Sequence, residues 1–161
     1  MNLHLIATCC LVALAPVAAF ADVDRVAKVE VTADLTAVQN EKAAAYWSNV
    51  STDLENAIVA RLVDRIAETG ATLSVDIREV ELASSFERAL NTSDAVLVGQ
   101  VSVTDLTDNS NFEAYELSVS LGTAQVLSAD GQTLTYDSLD TPEAYAALIN
   151  SFADNVVQRL D

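Results

Sequence analysis

The sequence predicts an α+β domain, a two-layer sandwich in which one mixed sheet of about five strands carries two main helices on one face. Three patterns predict it. Several segments alternate apolar and polar residues with period two, and two long segments repeat apolar residues at steps of three and four. Their order is strand, helix, strand, short helix, three-strand meander and helix, which suits one sheet with its helices on a single side.

The first strand is read from "AKVEVTADL", where Val29, Val31, Ala33 and Leu35 point one way and Lys28, Glu30, Thr32 and Asp34 the other. A helical stretch follows from Asn40, with Trp47, Val50, Leu54, Ile58, Leu62 and Ile66 on one apolar stripe. Thr52 and Glu55 have the spacing of a capping box, so the helix starts or breaks there, and Gly70 is placed to end it in a left-handed cap. "TLSVDIREVEL" is the second strand, burying Leu73, Val75 and Ile77. Ser84 and Glu87 cap a short helix through Leu90. "DAVLVGQVSVTD" buries Ala95, Leu97, Val101 and Val103, and "YELSVSLGTAQVLS" buries Leu117, Val119, Leu121 and Leu127. Asp130-Gly131 is a two-residue hairpin turn that sets Leu127 opposite Leu134. The last helix has Thr141 at its N-cap and Pro142 at its first position, then Tyr145, Leu148, Ile149, Phe152, Val156 and Leu160 on one face.

The other side of the sheet should display Thr32, Ser74, Ser102, Thr104, Ser118, Ser120, Thr133 and Thr135. Small hydroxyl residues in that position read as a solvated face or, more sharply, as a flat docking surface.

Residues 1–21 read as a secretory signal peptide. The apolar run from Leu3 to Ala15 is followed by Ala19-Phe20-Ala21, a small-x-small cleavage site, although the start of the chain carries no Lys or Arg. Residues 22–161 then form a single domain, periplasmic or secreted, with no integral membrane segment left after cleavage. Cys9, Cys10 and His4 all lie in the signal. The mature domain of about 140 residues therefore relies on its core without a disulfide, and it is long enough to do so.

All 24 acidic and 8 basic residues follow the signal, so the mature domain carries the whole net charge of −16. That balance repels nucleic-acid phosphates and anionic lipids. It suits a protein kept soluble by surface carboxylates. Without His or Cys, the mature chain has no Ser-His-Asp or Cys-His catalysis and no zinc site built on those ligands. Gly70, Gly99, Gly122 and Gly131 are too scattered for a phosphate loop. Paired carboxylates remain as a route to sugar hydrolysis, but the expectation is a protein that is not an enzyme and has no cofactor.

One stretch has the spacing of a metal loop. In "DLTDNSNFEAYE", Asp105, Thr107, Asn109, Asn111, Glu113 and Glu116 fall at positions 1, 3, 5, 7, 9 and 12 of a calcium-binding EF-hand loop. Of these, Asp105, Asn109, Asn111, Glu113 and Glu116 are the candidate Ca²⁺ ligands. Position 6 is Ser110 where glycine is usual, and the flanks read as strands where an EF-hand has helices. A solvated hairpin loop is the plainer reading. Arg61 and Arg65, interleaved with Asp64 and Glu68, read as intrahelical ion pairs rather than an anion site. Trp47, on the apolar stripe, reads as core.

"SDAVLVGQVSV", "ELSVSLGTAQVLSADGQTLTYDS" and the helix "DLENAIVARLVDRIAETGATL" resemble exported α/β domains of the bacterial envelope. These include the amino-terminal domain of the Tol–Pal translocation protein, the curli secretion-channel lipoprotein and the lipoproteins that activate cell-wall synthases. The likeness spans most of residues 52–160 as a pattern of elements. It implies a non-catalytic module that binds another envelope protein or associates with itself. Those lipoproteins carry a lipobox and this sequence lacks one, so no lipid anchor is implied.

Overall fold

A computed structural model describes residues 23–81, 95–121 and 141–161. The signal segment, the short helix read at Ser84–Leu90 and the hairpin at Asp130-Gly131 with its fifth strand lie outside the described residues.

Within them the chain forms a four-stranded mixed sheet in the order β1-β2-β3-β4. The strands are β1 (Val26–Ala33), β2 (Ala71–Glu81), β3 (Val96–Thr104) and β4 (Glu113–Ser120). β1 and β2 run parallel, and the remaining pairs are antiparallel. Helices α1 (Glu41–Tyr46) and α2 (Val50–Arg61) make the crossover between the two parallel strands, and α3 (Pro142–Gln158) closes the described chain. The α+β class and the single helical layer stand as the sequence predicts.

Burial alternates along the strands because successive side chains point to opposite faces. Leu73, Val75, Ile77, Leu97, Val101, Val103 and Val119 are all buried, as the alternation predicts. Against them lie Trp47, Val50, Leu54, Ile58 and Leu62 of the first stripe and Leu148, Phe152, Val156 and Leu160 of the last. Fully burying one such side chain stabilises by about 1.5–3 kcal/mol before entropy is charged against it. The described residues bury no polar or charged residue, so their carboxylates all lie at the surface. The crossing of α3 over β3 is tight at the glycine: a Cβ on Gly99 would sit 3.0 Å from Phe152 Cζ and 3.0 Å from Ile77 Cδ1, so both side chains would have to give way.

Several local expectations are corrected. β1 begins at Val26, one residue earlier than its alternation shows, because a register shift between Val26 and Lys28 admits an extra residue and turns Val26 inward. The first helical stretch is two helices. Asn40 caps α1 by accepting from the amides of Lys42 and Ala43, and a tight turn in which Val50 N donates to Trp47 O separates α1 from α2. Asn49 is the N-cap of α2, without a side-chain cap, so Thr52 and Glu55 are interior residues and not a capping box.

α2 then stops at Arg61, well before Gly70. The intervening residues turn back so that Ile66 bridges Val26, which leaves Ile66 44% exposed and off the buried stripe. Gly70 serves a different purpose from a helix cap. Its φ is +147°, and a Cβ there would collide with the carbonyl of Arg25, whose oxygen accepts from Ala71 N at 2.9 Å. α3 is capped as expected, with Thr141 Oγ1 accepting from Ala144 N at 3.1 Å and Pro142 in the first turn.

The two arginines bridge distant segments instead of forming intrahelical pairs. Arg61 Nε donates to Asp154 on α3 at 2.5 Å, and its Nη2 donates to Asn150. Arg65 donates from Nε to Val23 O at 3.1 Å, from Nη2 to Leu160 O at 3.0 Å and to Val23 O, and from Nη1 to Asp161 at 2.6 Å. One guanidinium thus ties Val23, ahead of β1, to Leu160 and Asp161, beyond α3, with Val23 N donating to Leu160 O at 3.0 Å beside it.

Candidate interaction surface

The sheet face turned away from the helices is polar, and the strand registers place its residues in rows. Lys28, Thr72 and Thr104 form one row, and Glu30, Ser74, Ser102 and Ala114 the next. Thr32, Asp76, Gln100 and Glu116 form a third, then Glu79, Val98 and Ser118 a fourth. Lys28 is the one cation in these four rows, and it is paired with Glu30 at 2.7 Å. Thr32 Oγ1 donates to Asp76 Oδ1 at 3.3 Å, and Gln100 Nε2 donates across to Tyr115 O at 2.8 Å. Thr32, Ser74, Ser102, Thr104, Ser118 and Ser120 all lie exposed or half-buried, as the alternation predicts. Thr133 and Thr135 lie outside the described residues. No described element covers this face.

The 105–116 segment is a β3–β4 connection built on two carboxylates. Asp105 Oδ1 accepts from Thr107 N at 2.8 Å, Thr107 Oγ1 at 2.7 Å and Asp108 N at 3.2 Å, while its Oδ2 accepts from Asn111 Nδ2 at 3.2 Å. Asp108 repeats the device on a smaller scale, accepting from Ser110 N at 2.9 Å and Ser110 Oγ at 2.6 Å, and a 3₁₀ turn over Asn109–Asn111 follows. The Thr107 hydroxyl, then its amide, then the Asn111 amide hold the Asp105 carboxyl down to about 2. The Ser110 hydroxyl and amide lower that of Asp108 for the same reason.

Of the predicted cation ligands the fold therefore brings Asp105 and Asn111 together and carries Glu113 and Glu116 onto β4. Glu113 pairs with Val103, and Glu116 pairs with Gln100 on the open face. Three residues apart on a strand, Glu113 and Glu116 point to opposite faces. Gln100 lies five residues before Asp105, about 16 Å along the strand at roughly 3.3 Å per residue. The EF-hand closure by Glu116 does not form, because strand pairing starts at Glu113 and carries position 12 up the sheet. Among the described residues no three acidic, histidine or cysteine side chains gather as a metal group.

A pocket of about 320 Å³ opens at the other end of the sheet, lined chiefly by Leu35, Val38, Ala43, Ile77 and Val80, with Asp34, Arg78 and Glu79 among its polar walls. Arg78 stands where β2 shifts register against β3 between Ile77 and Glu79. Asp34 accepts from Thr36 Oγ1 at 2.6 Å and Thr36 N at 3.0 Å, which lowers its carboxyl. A carboxylate so stabilised is a poor proton donor, whereas the acid of a glycosidase pair needs its pKa raised.

Sequence reasoning missed the apolar groups on this surface. Leu106 is 103% exposed and Phe112 67%, one residue beyond each partner of the Asp105–Asn111 hydrogen bond that closes the loop. Their signal in the sequence is plain in hindsight: two large apolar residues inside a run of acids and amides, off any strand or helix period.

No family model matches the chain, and no curated protein sequence matches it. Similar solved structures include the PelC dodecamer from Paraburkholderia phytofirmans, at 16% identity over 89% of this chain and 92% of that one, with a TM-score of 0.48. A DUF330 protein from Xanthomonas campestris is 13% identical over 90% of this chain and 86% of that one, TM-score 0.47. A minor lipoprotein from Acinetobacter baumannii is 12% identical over 83% and 91%, TM-score 0.33. None of these three is the Tol–Pal domain, so that resemblance stays at the level of element order. Among the described residues no helix is long and apolar enough to cross a membrane.

Proposed function

We propose that this chain is an exported, non-catalytic protein-interaction or assembly module of the bacterial cell envelope, periplasmic or secreted after cleavage behind Ala21. The observation that carries the reading is the uncovered sheet face. Four strands spend one face on the core and present on the other rows of hydroxyls and carboxylates, a broad polar surface of the kind that meets a protein partner. The carboxylates on both sides of the sheet disfavour nucleic acid and anionic lipid and leave protein as the partner class. An envelope partner or a second copy fits that description.

Site-specific photocrosslinking in the exporting cell tests it. A photoreactive residue at Ser102, in the middle of the open face, is expected to give discrete protein adducts in the envelope fraction. The same residue at Glu143, on the outer side of α3, is expected to give none. Adduct patterns that are identical at the two positions, or a chain retained in the cytoplasm, would refute the proposal.

A further inference from the structure

All the large apolar side chains that the described residues expose sit at one end of the molecule. They are Val59, Val63, Ile66, Leu106 and Phe112. Topology fixes this. Ile66 bridges Val26 at the start of β1, Val26 pairs with Ala71 at the start of β2, and Thr72 pairs with Thr104, where β3 runs into the loop that bears Leu106 and Phe112. The pocket lies at the opposite end, beyond Ala33 and Ile77.

Within that end the loop is the more exposed and the better organised patch. Leu106 stands between Asp105 and Thr107, Phe112 precedes Glu113, and Asp108 lies between them. Two apolar prongs are thus set in a rim of carboxylates, and Asp105 and Asp108 remain ionised because the loop's own hydroxyls and amides hold them so. An apolar prong in an anionic rim complements an apolar socket in a cationic rim. It opposes an anionic bilayer, and it opposes a second copy of a chain whose net charge is −16. The pocket at the far end repeats the mismatch, since its one cation, Arg78, is outnumbered by Asp34 and Glu79. The hydrogen bonds within the loop hold it in place before it meets a partner, which lowers the ordering cost of docking.

We infer that the β3–β4 loop is a two-pronged anchor, Leu106 and Phe112, that seats in an apolar socket rimmed by lysine or arginine on another protein. This deepens the proposed function and rests on it. It assigns the anchoring to the loop end, while the open sheet face remains the broader contact surface.

The probe is a fluorescent amphipathic helix of leucine and lysine, titrated with the chain purified after export at 0.15 M salt and followed by anisotropy. The Leu106→Ser/Phe112→Ser chain is expected to bind it at least tenfold more weakly than wild type, with an unchanged melting temperature. Each single substitution is expected to give an intermediate loss, and a leucine/glutamine peptide of the same pattern is expected to bind wild type at least tenfold more weakly. Equal binding by wild type and double variant overturns the inference, since general charge attraction then suffices. So does wild-type co-sedimentation with phosphatidylcholine vesicles that the double variant loses, which makes the occupant a membrane. Sedimentation showing a wild-type dimer abolished by the double variant overturns it too, in favour of a second copy. Crosslinking at Ser102 reads the sheet face separately, so the anchor and the wider reading fail by different results.

Discussion

Strand β3 presents two different chemistries on alternate residues. Leu97, Gly99, Val101 and Val103 face the helices, and Val98, Gln100, Ser102 and Thr104 face away. The first set is constrained by volume, to the point that even a methyl group at Gly99 meets Phe152 and Ile77. The second set is packed under no helix among the described residues, and its Gln100 side chain bonds sideways, to Tyr115 O on β4. The same backbone therefore locates stability on one face and leaves the other free for recognition.

Removing volume from the covered face should show the largest effect. Phe152→Ala is expected to destabilise by about 3–5 kcal/mol in urea unfolding, since Phe152 is fully buried over Gly99. Ser102→Ala on the opposite face should change the same measurement by no more than about 0.5 kcal/mol. If Ser102→Ala approached the Phe152 effect, the open face would be packed and the contrast between faces would collapse. Next in size comes the junction that Arg65 makes between Val23 and Leu160. Arg65→Gln is expected to cost about 2 kcal/mol, the scale of a hydrogen-bonded charge whose partners are left unsatisfied. Hydrogen exchange should accelerate at the Val23 amide first, because it donates to Leu160 O beside the guanidinium.

That arginine also marks the limit of what the sequence shows. Period-two alternation located every described strand, because one buried face imposes it residue by residue. The stripe from Trp47 to Leu62 located the first helical layer but hid the break at Trp47, since a tight turn preserved the spacing of three between Trp47 and Val50. Nothing in "LVDRIAET" discourages a helix. The chain leaves α2 there because Ile66 finds Val26 and Arg65 finds Val23 and Leu160, and contacts across 42 and 95 residues leave no local trace. The candidate metal loop departs from EF-hand geometry for a related reason. Ligand spacing was legible, but spacing along a strand sends Glu113 and Glu116 to opposite faces, and only the onset of pairing at Glu113 decides between loop and strand. Exposure at Leu106 and Phe112 likewise depends on where the chain turns.

A smaller effect distinguishes two of the tyrosines packed against the core, Tyr145 and Tyr115. Tyr145 OH donates to Asp53 Oδ2 at 2.8 Å, joining α3 to α2, and Tyr145→Phe should cost about 1 kcal/mol. Burial, followed by the charge of Glu113, pushes Tyr115 up to about 12, with Arg159 over its ring opposing the shift. Burial and then Asp53 raise Tyr145 as well. A phenol whose folded pKa is raised adds stability that is complete below its unfolded pKa of about 10 and is lost as pH climbs through the folded value. Melting temperature should therefore fall between pH 10 and 12, and Tyr115→Phe should flatten that fall. A profile unchanged in Tyr115→Phe would remove this residue from the alkaline limb.

The smallest expected effect concerns the loop end and the cation alternative. Asp105 already has its lone pairs directed at Thr107, Asp108 and Asn111, and Glu116 stands on the other side of β4 from Glu113. A divalent ion would have to displace those donors, and the neighbouring Asp108 carboxylate is likewise engaged by the Ser110 amide and hydroxyl. Millimolar Ca²⁺ should accordingly raise the melting temperature no more than matched Mg²⁺, both acting as counter-ions to a surface of −16. Acid should loosen the loop where cations do not tighten it. The depressed Asp105 and Asp108 carboxyls add order that is present above about pH 4 and is lost as pH falls toward the Asp105 value of about 2. Amide resonances of Thr107 and Ser110 report that transition directly, since each amide donates to one of the two carboxylates. A Ca²⁺-specific rise that Asp105→Asn abolishes would make the loop a cation site and displace the anchor from it.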